Sequence, residues 1–110
     1  MEIRCVERDG TAVISVKGEV DLYSSPRLRK EIVDNAQNRI SSLVVDLGGV
    51  TYMDSSGIAT LVEGFQLTKR YGGRFRLVHP SPSIKEVIEF ARLDRIFSIY
   101  DTVEEALEPA

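Results

Sequence analysis

The sequence is poor in the residues that most often carry redox or metal chemistry. It has one cysteine, one histidine and no tryptophan in 110 residues. Cys5 has no second cysteine to pair with, and one cysteine with one distant histidine does not make a zinc site. No apolar run exceeds three residues and the N-terminus lacks a signal-peptide block, which argues against a membrane-spanning helix and against export. We predict a cytoplasmic protein with no metal, no cofactor and no direct membrane insertion.

Neither sign of charge dominates the chain. Fourteen Lys and Arg stand against seventeen Asp and Glu, for a net charge of −3, and no basic block is present. Nucleic-acid binding is therefore not expected. Apolar residues at 43% and charged residues at 28% fit an ordinary folded chain, and the length fits one domain over residues 1–110. The small acidic surface and the absence of a heptad pattern favour a monomer when the protein is free.

Two periodicities alternate along the chain. Segments rich in β-branched residues are followed by segments whose apolar residues recur at helical spacing. Asp9-Gly10 is a strong hairpin signal between the first two strands. The predicted order is β-β-α-β-α-β-α-β-α, an α/β domain with a mixed, mostly parallel sheet and amphipathic helices packed against it. The predicted strands cover residues 3–8, 11–17, 43–47, 74–79 and 96–100.

Glycine and serine set the expected boundaries of these elements. Gly18 is predicted to end the second strand, and Gly48-Gly49 to interrupt the third before residues 50–53 lead to a helix. Ser25, followed by proline, is expected to cap the first helix. Ser83 is expected to cap the third.

Two strand-to-helix junctions attract attention as possible sites. Asp54-Ser55-Ser56-Gly57 precedes the second helix, and it is either a plain helix cap or a place where a serine hydroxyl accepts a phosphoryl group. The junction at 18–26 contains the acids Glu19 and Asp21, which are turn residues or neighbours of that serine. In a parallel sheet both junctions fall on one edge.

Enzyme activity is not predicted. Met53 stands two places before Ser55, so the Gly-x-Ser-x-Gly elbow of serine hydrolases is missing. The lone histidine, His79, precedes a proline at a strand end and is more often a surface residue there. No phosphate-binding glycine loop is present. No residue is assigned a catalytic role.

The motifs together resemble a known family. Residues 18–21 (GEVD), 52–58 (YMDSSGI), 71–73 (YGG) and 82–85 (PSIK) are similar to the bacterial STAS-domain family, and within it to the anti-sigma factor antagonists. The resemblance covers nearly the whole chain in order. It implies a sheet of mixed strands with helices packed against it.

The resemblance also implies a mechanism. An unphosphorylated antagonist binds an anti-sigma factor that is a serine kinase of the histidine-kinase-like ATPase type, and so frees a sigma factor. The kinase then phosphorylates the antagonist, and a metal-dependent PP2C-type serine phosphatase resets it. Carried onto this sequence, the phosphoacceptor is Ser55. The partner-binding surroundings are Glu19, Asp21, Ser25, Asp54, Ser56 and Gly57.

Two positions depart from the family pattern, and a second function stays open. Ala59 and Arg92 stand where family members commonly have glycine. Either change could alter which partner fits. STAS domains also occur as subunits of transport systems, so the alternative is a non-switching subunit of a membrane lipid-trafficking ABC-type complex.

Overall fold

The computed structural model describes residues 1–107; residues 108–110 of the predicted domain, 1–110, lie outside the described part. Within these residues, five β-strands and four α-helices follow one another in the order β-β-α-β-α-β-α-β-α, with a short 3₁₀ turn before the last strand. The strands are β1 Glu2–Arg8, β2 Thr11–Val20, β3 Ser42–Met53, β4 Arg74–Val78 and β5 Ser98–Tyr100. The helices are α1 Ser25–Gln37, α2 Ser55–Arg70, α3 Pro82–Phe90 and α4 Val103–Leu107, and the 3₁₀ turn is Leu93–Arg95.

The five strands lie side by side in chain order. β1 and β2 form an antiparallel hairpin, and every later neighbour is parallel. Asp9 and Gly10 connect the hairpin with positive φ angles of 53° and 81°, as a type I′ turn requires. The predicted element order, hairpin and mixed, mostly parallel sheet are confirmed.

The main core lies between the sheet and the first three helices. Successive side chains of β3 face opposite sides of the sheet. Leu43 and Val45 face this core, whereas Val44 faces the other side. The helices contribute fully buried side chains at helical spacing. These are Leu28 and Ile32 of α1, Leu61 of α2, and Ile84 and Ile88 of α3.

The other face of the sheet is covered only in part. α4 packs Ala106 against Val44 and Val78, and the buried Arg76 donates a hydrogen bond to the Ala106 carbonyl. β3 is therefore buried on both faces, which explains why residues 43–45 are all apolar. Beyond α4 this face carries polar side chains from β1 and β2.

Two glycine positions were assigned wrongly from sequence. Gly18 does not end β2; it bends the strand at a register shift, with φ of 102°, and pairing with β3 continues to Val20. Gly48-Gly49 does not interrupt β3 either. A Cβ on Gly49 would lie 3.0 Å from the Val16 carbonyl oxygen, so glycine permits the close approach of two strands.

Helix starts also differ from the sequence-based expectation. Ser25 is the first residue of α1, and Ser24 precedes it without a side-chain cap. Ser81, not Ser83, caps α3, because its Oγ accepts the Ile84 N–H at 3.3 Å. β5 begins at Ser98, two residues later than expected, because the 3₁₀ turn occupies the preceding segment.

Candidate functional site

The two predicted junctions meet at one edge of the sheet. Val20 at the end of β2 pairs with Met53 at the end of β3. The Asp54 N–H then donates to the Val20 carbonyl oxygen at 3.2 Å, which continues the pairing by one residue. The chain leaves β2 into the loop before α1 and leaves β3 into α2. The sequence-based expectation that these junctions share an edge is confirmed.

Asp54 builds the start of α2. Its backbone is extended, with φ of −99° and ψ of −170°, and its Oδ1 accepts the N–H groups of Ser56 at 2.9 Å and Gly57 at 3.4 Å. This is the geometry of an N-cap, which satisfies amides that have no partner inside the helix. The carboxylate is thus engaged with backbone amides, and it holds the peptide on which Ser55 is carried.

Gly57 lets α2 begin close against the strand ends. It is buried, and a Cβ at this position would lie 2.5 Å from Met53 Cγ and 2.9 Å from Val20 Cγ1. Neither is a distance that a real side chain tolerates. Glycine at 57 therefore sets how near the first turn of α2 approaches the ends of β2 and β3.

The two serines of this turn differ in exposure. Ser55 is exposed, whereas Ser56 is half-buried. The Ser56 carbonyl oxygen accepts the Thr60 hydroxyl at 2.9 Å, which ties Ser56 into the helix. Of these two hydroxyl groups, that of Ser55 is the more accessible to an incoming protein.

The loop after β2 is organised around Asp21. Its Oδ1 accepts the N–H groups of Tyr23 and Ser24 and lies 3.0 Å from the Ser24 hydroxyl. These hydrogen bonds, led by the Ser24 N–H, hold the pKa of the Asp21 carboxyl below its ordinary value. Asp21 therefore stays ionised at neutral pH. Glu19 is exposed at the end of β2 beside it.

Ser25 does not share this exposure. Only 7% of its surface is accessible, and its N–H donates to the Asp21 carbonyl oxygen at 2.8 Å. It joins the loop to α1 from inside, so its side chain is not available to the partner surface that the family resemblance implies. The neighbouring Leu22 and Tyr23 are instead 67% and 89% exposed.

An apolar groove that was not predicted from sequence lies beside Ser55. Its volume is about 610 Å³, and it runs between the start of α2 and the outer side of α3. On α3, Val87 is 37% exposed and Phe90 is 91% exposed. The available sequence signal for the groove was Phe90, a large aromatic residue outside the helical spacing of Ile84, Val87 and Ile88. The groove is lined by Met53, Asp54, Ser55, Ile58, Ser83, Glu86, Val87, Phe90 and Ala91.

Comparison with known proteins identifies the domain. The STAS domain model matches residues 2–106. The chain belongs to the STAS domain family. The match extends from the first strand to the last helix, so the whole sheet and both junctions described above are parts of one STAS domain.

Named relatives and solved structures of this family are similar to the chain. The anti-sigma-B factor antagonist of Bacillus subtilis is 33% identical over 86 residues, 78% of each chain. A crystal structure of an anti-sigma factor antagonist from Mycobacterium paratuberculosis superposes with a TM-score of 0.88 at 29% identity, covering 96% of this chain and 90% of the other. The Bacillus cell fate determinant SpoIIAA in its phosphorylated form gives a TM-score of 0.77 at 25% identity and 96% coverage of both.

The two departures from the STAS pattern have different structural settings. Ala59 is exposed on α2, one residue after Ile58 of the groove. Arg92 has φ of 60° and ψ of 25°, a left-handed conformation that glycine adopts without strain. The backbone at 92 has therefore kept a shape that suits glycine, although the residue is arginine.

His79 lies away from Ser55. Its Nδ1 is 3.2 Å from Asp46 Oδ1, and both residues line a different cavity, on the sheet face that α4 leaves open. Within residues 1–107 no three metal-ligating side chains come together. Over the same residues, no helix has both the length and the apolar character needed to cross a membrane.

Proposed function

We propose that this STAS domain is an anti-sigma factor antagonist whose partner binding is switched by phosphorylation of Ser55. In its unmodified form it binds an anti-sigma factor that is also a serine kinase, and so releases a sigma factor. That kinase phosphorylates Ser55 and the complex dissociates. A PP2C-type serine phosphatase removes the phosphate.

The observation that carries this proposal is the exposed Ser55 at the rim of an apolar groove. The hydroxyl lies on the first turn of a helix that Asp54 and Gly57 fix in place. Exposed apolar residues, among them Phe90 and Tyr23, lie on the elements that flank it. Exposed apolar surface of this kind is typical of protein interaction sites. The similarity to anti-sigma factor antagonists supports the same function; SpoIIAA, which carries that name, has been solved in a phosphorylated form.

A phosphate at Ser55 would oppose such an interface for two physical reasons. It adds about −1.5 to −2 charges at pH 7 next to the carboxylate of Asp54, at the sheet edge that also carries Asp21. Closing a protein over that dianion also strips it of water, and a buried, unpaired charge costs several kcal/mol. An interface that accepts a hydroxyl therefore rejects the phosphate.

The proposal is tested with the purified protein as bait in a lysate of its source organism, followed by reconstitution with the kinase recovered. The parent and Ser56→Ala are expected to gain one phosphoryl group with Mg-ATP, whereas Ser55→Ala is expected to bind the kinase and gain none. Ser55→Asp is expected to bind at least about tenfold more weakly, about 1.4 kcal/mol. Phosphorylation of Ser55→Ala at the parent rate contradicts the site, and recovery of a transporter ATPase instead favours the non-switching subunit.

A further inference from the structure

β1 has a free edge. It pairs with β2 on one side and is the first strand of the sheet, and all of its residues except Ile3 are exposed. An open strand edge presents unpaired N–H and C=O groups that another strand can bind. Such edges are commonly protected by charged side chains, and β1 carries four of them. The order of these charges along the strand affects which register an added strand can adopt.

The hairpin determines which backbone groups point outward. Arg8 and Thr11 flank the two-residue turn and so form a hydrogen-bonded pair. Because such pairs alternate along an antiparallel ladder, Glu2, Arg4 and Val6 also bond to β2. The N–H and C=O groups of Ile3, Cys5 and Glu7 are left facing the free edge.

We propose that β1 pairs antiparallel with β1 of a second copy of this chain, with Cys5 opposite Cys5. In this register Ile3 faces Glu7, and the outward groups of each strand meet those of the other. Glu2 of each copy faces Arg8 of the other, so the twofold axis creates two opposite-charge pairs. Cross-strand pairs of opposite charge stabilise antiparallel strands.

Neighbouring registers lack this complementarity. Only shifts by two residues keep outward backbone groups opposite one another. One such shift places Arg4 opposite Arg4, and the other places Arg4 opposite Arg8 twice. Like charges directly opposite each other are unfavourable. The charges thus permit one alignment and oppose the adjacent two.

The surroundings of β1 suit a continuous ten-stranded sheet. Cys5 faces the helix-covered side of its sheet, because Asn35 Nδ2 of α1 lies 3.7 Å from its sulfur. Pairing Cys5 with Cys5 would therefore place the helices of both copies on the same side of the joined sheet. Glu2 and Arg4 lie on the opposite face, where they line the open cavity with Lys17. The monomer expected from sequence rested on the small acidic surface and on the missing heptad pattern. A heptad pattern reports on helix pairing and not on strand pairing, and a net charge of −3 does not show where opposite charges face each other. This inference is independent of Ser55 and its partner.

Charge reversal tests the pairing. Arg8→Glu is expected to raise the dimer dissociation constant about tenfold or more, because two attractive pairs become repulsive. Adding Glu2→Arg together with Lys17→Glu, which keeps opposite charges at the facing positions 2 and 17 of the hairpin, is expected to restore it. Arg8 faces the uncharged Thr11 within the hairpin and takes part in none of the ion pairs among residues 1–107, so its reversal breaks none of them. Lys85→Glu on α3 makes the same change of net charge and is expected to leave the constant unchanged. Sedimentation equilibrium over a concentration series measures all four proteins.

Disulfide cross-linking tests the register separately. Directly opposed residues of a hydrogen-bonded pair have Cα atoms about 5.5 Å apart, within the range a disulfide spans. Partial desolvation of the otherwise exposed Cys5 thiol beside α1 raises its pKa, so mild oxidation is carried out at alkaline pH. The parent is expected to give a covalent dimer. The Cys5→Ser/Glu7→Cys variant is expected to give none, because its thiol faces Ile3. A parent that stays monomeric at every concentration, or a control that cross-links equally fast, overturns the proposal.

Discussion

Gly57 and Met53 lie so close that no side chain fits between them. A Cβ at 57 would be 2.5 Å from Met53 Cγ, so the first turn of α2 rests directly on the end of β3. This contact determines where Ser55 is held, because Ser55 is two residues earlier in the same turn.

Gly57→Ala is expected to destabilise the fold by about 1–3 kcal/mol, since the new methyl group overpacks the strand ends. Chemical denaturation measures the loss. The reverse exchange on an exposed position of the same helix, Ala59→Gly, calibrates helix propensity and is expected to cost about 0.5–1 kcal/mol. Propensity alone would make Gly57→Ala stabilising, so a gain in stability there would refute the packing argument.

Asp54→Ala is expected to lower the free energy of unfolding by about 1 kcal/mol, because the amides of Ser56 and Gly57 lose their acceptor. Asp54→Asn keeps an acceptor oxygen and is expected to retain most of the stability. Urea titration of the three proteins distinguishes capping from a charge effect. Equal losses in both variants would show that the negative charge, and not the hydrogen bond, stabilises this turn.

Arg92→Gly is expected to raise the free energy of unfolding by about 1 kcal/mol, because a left-handed residue with a side chain carries a steric cost that glycine avoids. Thermal unfolding provides the measurement. Arg95→Gly serves as the control, since Arg95 lies in the 3₁₀ turn and glycine there only adds chain entropy. If both variants were destabilised, the conformation at 92 would carry no strain.

Ser24→Ala is expected to raise the pKa of Asp21 toward, but not up to, its ordinary value. The variant removes the hydroxyl and keeps the Ser24 N–H, which is the larger cause of the lowered pKa. A lowered folded-state pKa means that these bonds stabilise the protein above the unfolded-state pKa. Their contribution is lost as pH falls through the folded-state value.

Carboxyl NMR titration of the folded protein follows this change directly. Tyr23→Ala is the matched control, because Tyr23 contributes only its backbone N–H to Asp21. An unchanged Asp21 pKa in Ser24→Ala would show that the hydroxyl bonds to the Glu19 carbonyl oxygen, 2.9 Å away, in preference to the carboxylate.

The sequence was informative at several places where a local rule acted, although the local cap rule chose the wrong serine at α1 and α3. The Asp9-Gly10 turn, the Asp54 cap and the order of elements follow from neighbouring residues, and the structure has them as expected. It misled where tertiary contacts reverse a local preference. Gly18 and Gly49 suggest strand ends, yet pairing between β2 and β3 carries the strands through both positions.

The groove shows a different limit. Phe90 and Val87 are apolar, and composition alone assigns such residues to a core. Their exposure depends on which side of α3 meets the sheet, and Ile84 and Ile88 already occupy that side. The spacing of Phe90 along α3 indicates that it lies off the buried side, whereas only the packing of α3 shows that Val87 is left partly on the surface.

The bond between the Asp54 carboxylate and its own helix has a consequence for signalling. The amides that would otherwise attract an added anion already have an acceptor. A phosphate on Ser55 would leave α2 unaltered and project away from it. The proposed switch would then act on a partner through a change in the surface potential of a rigid domain, with no refolding of the domain itself.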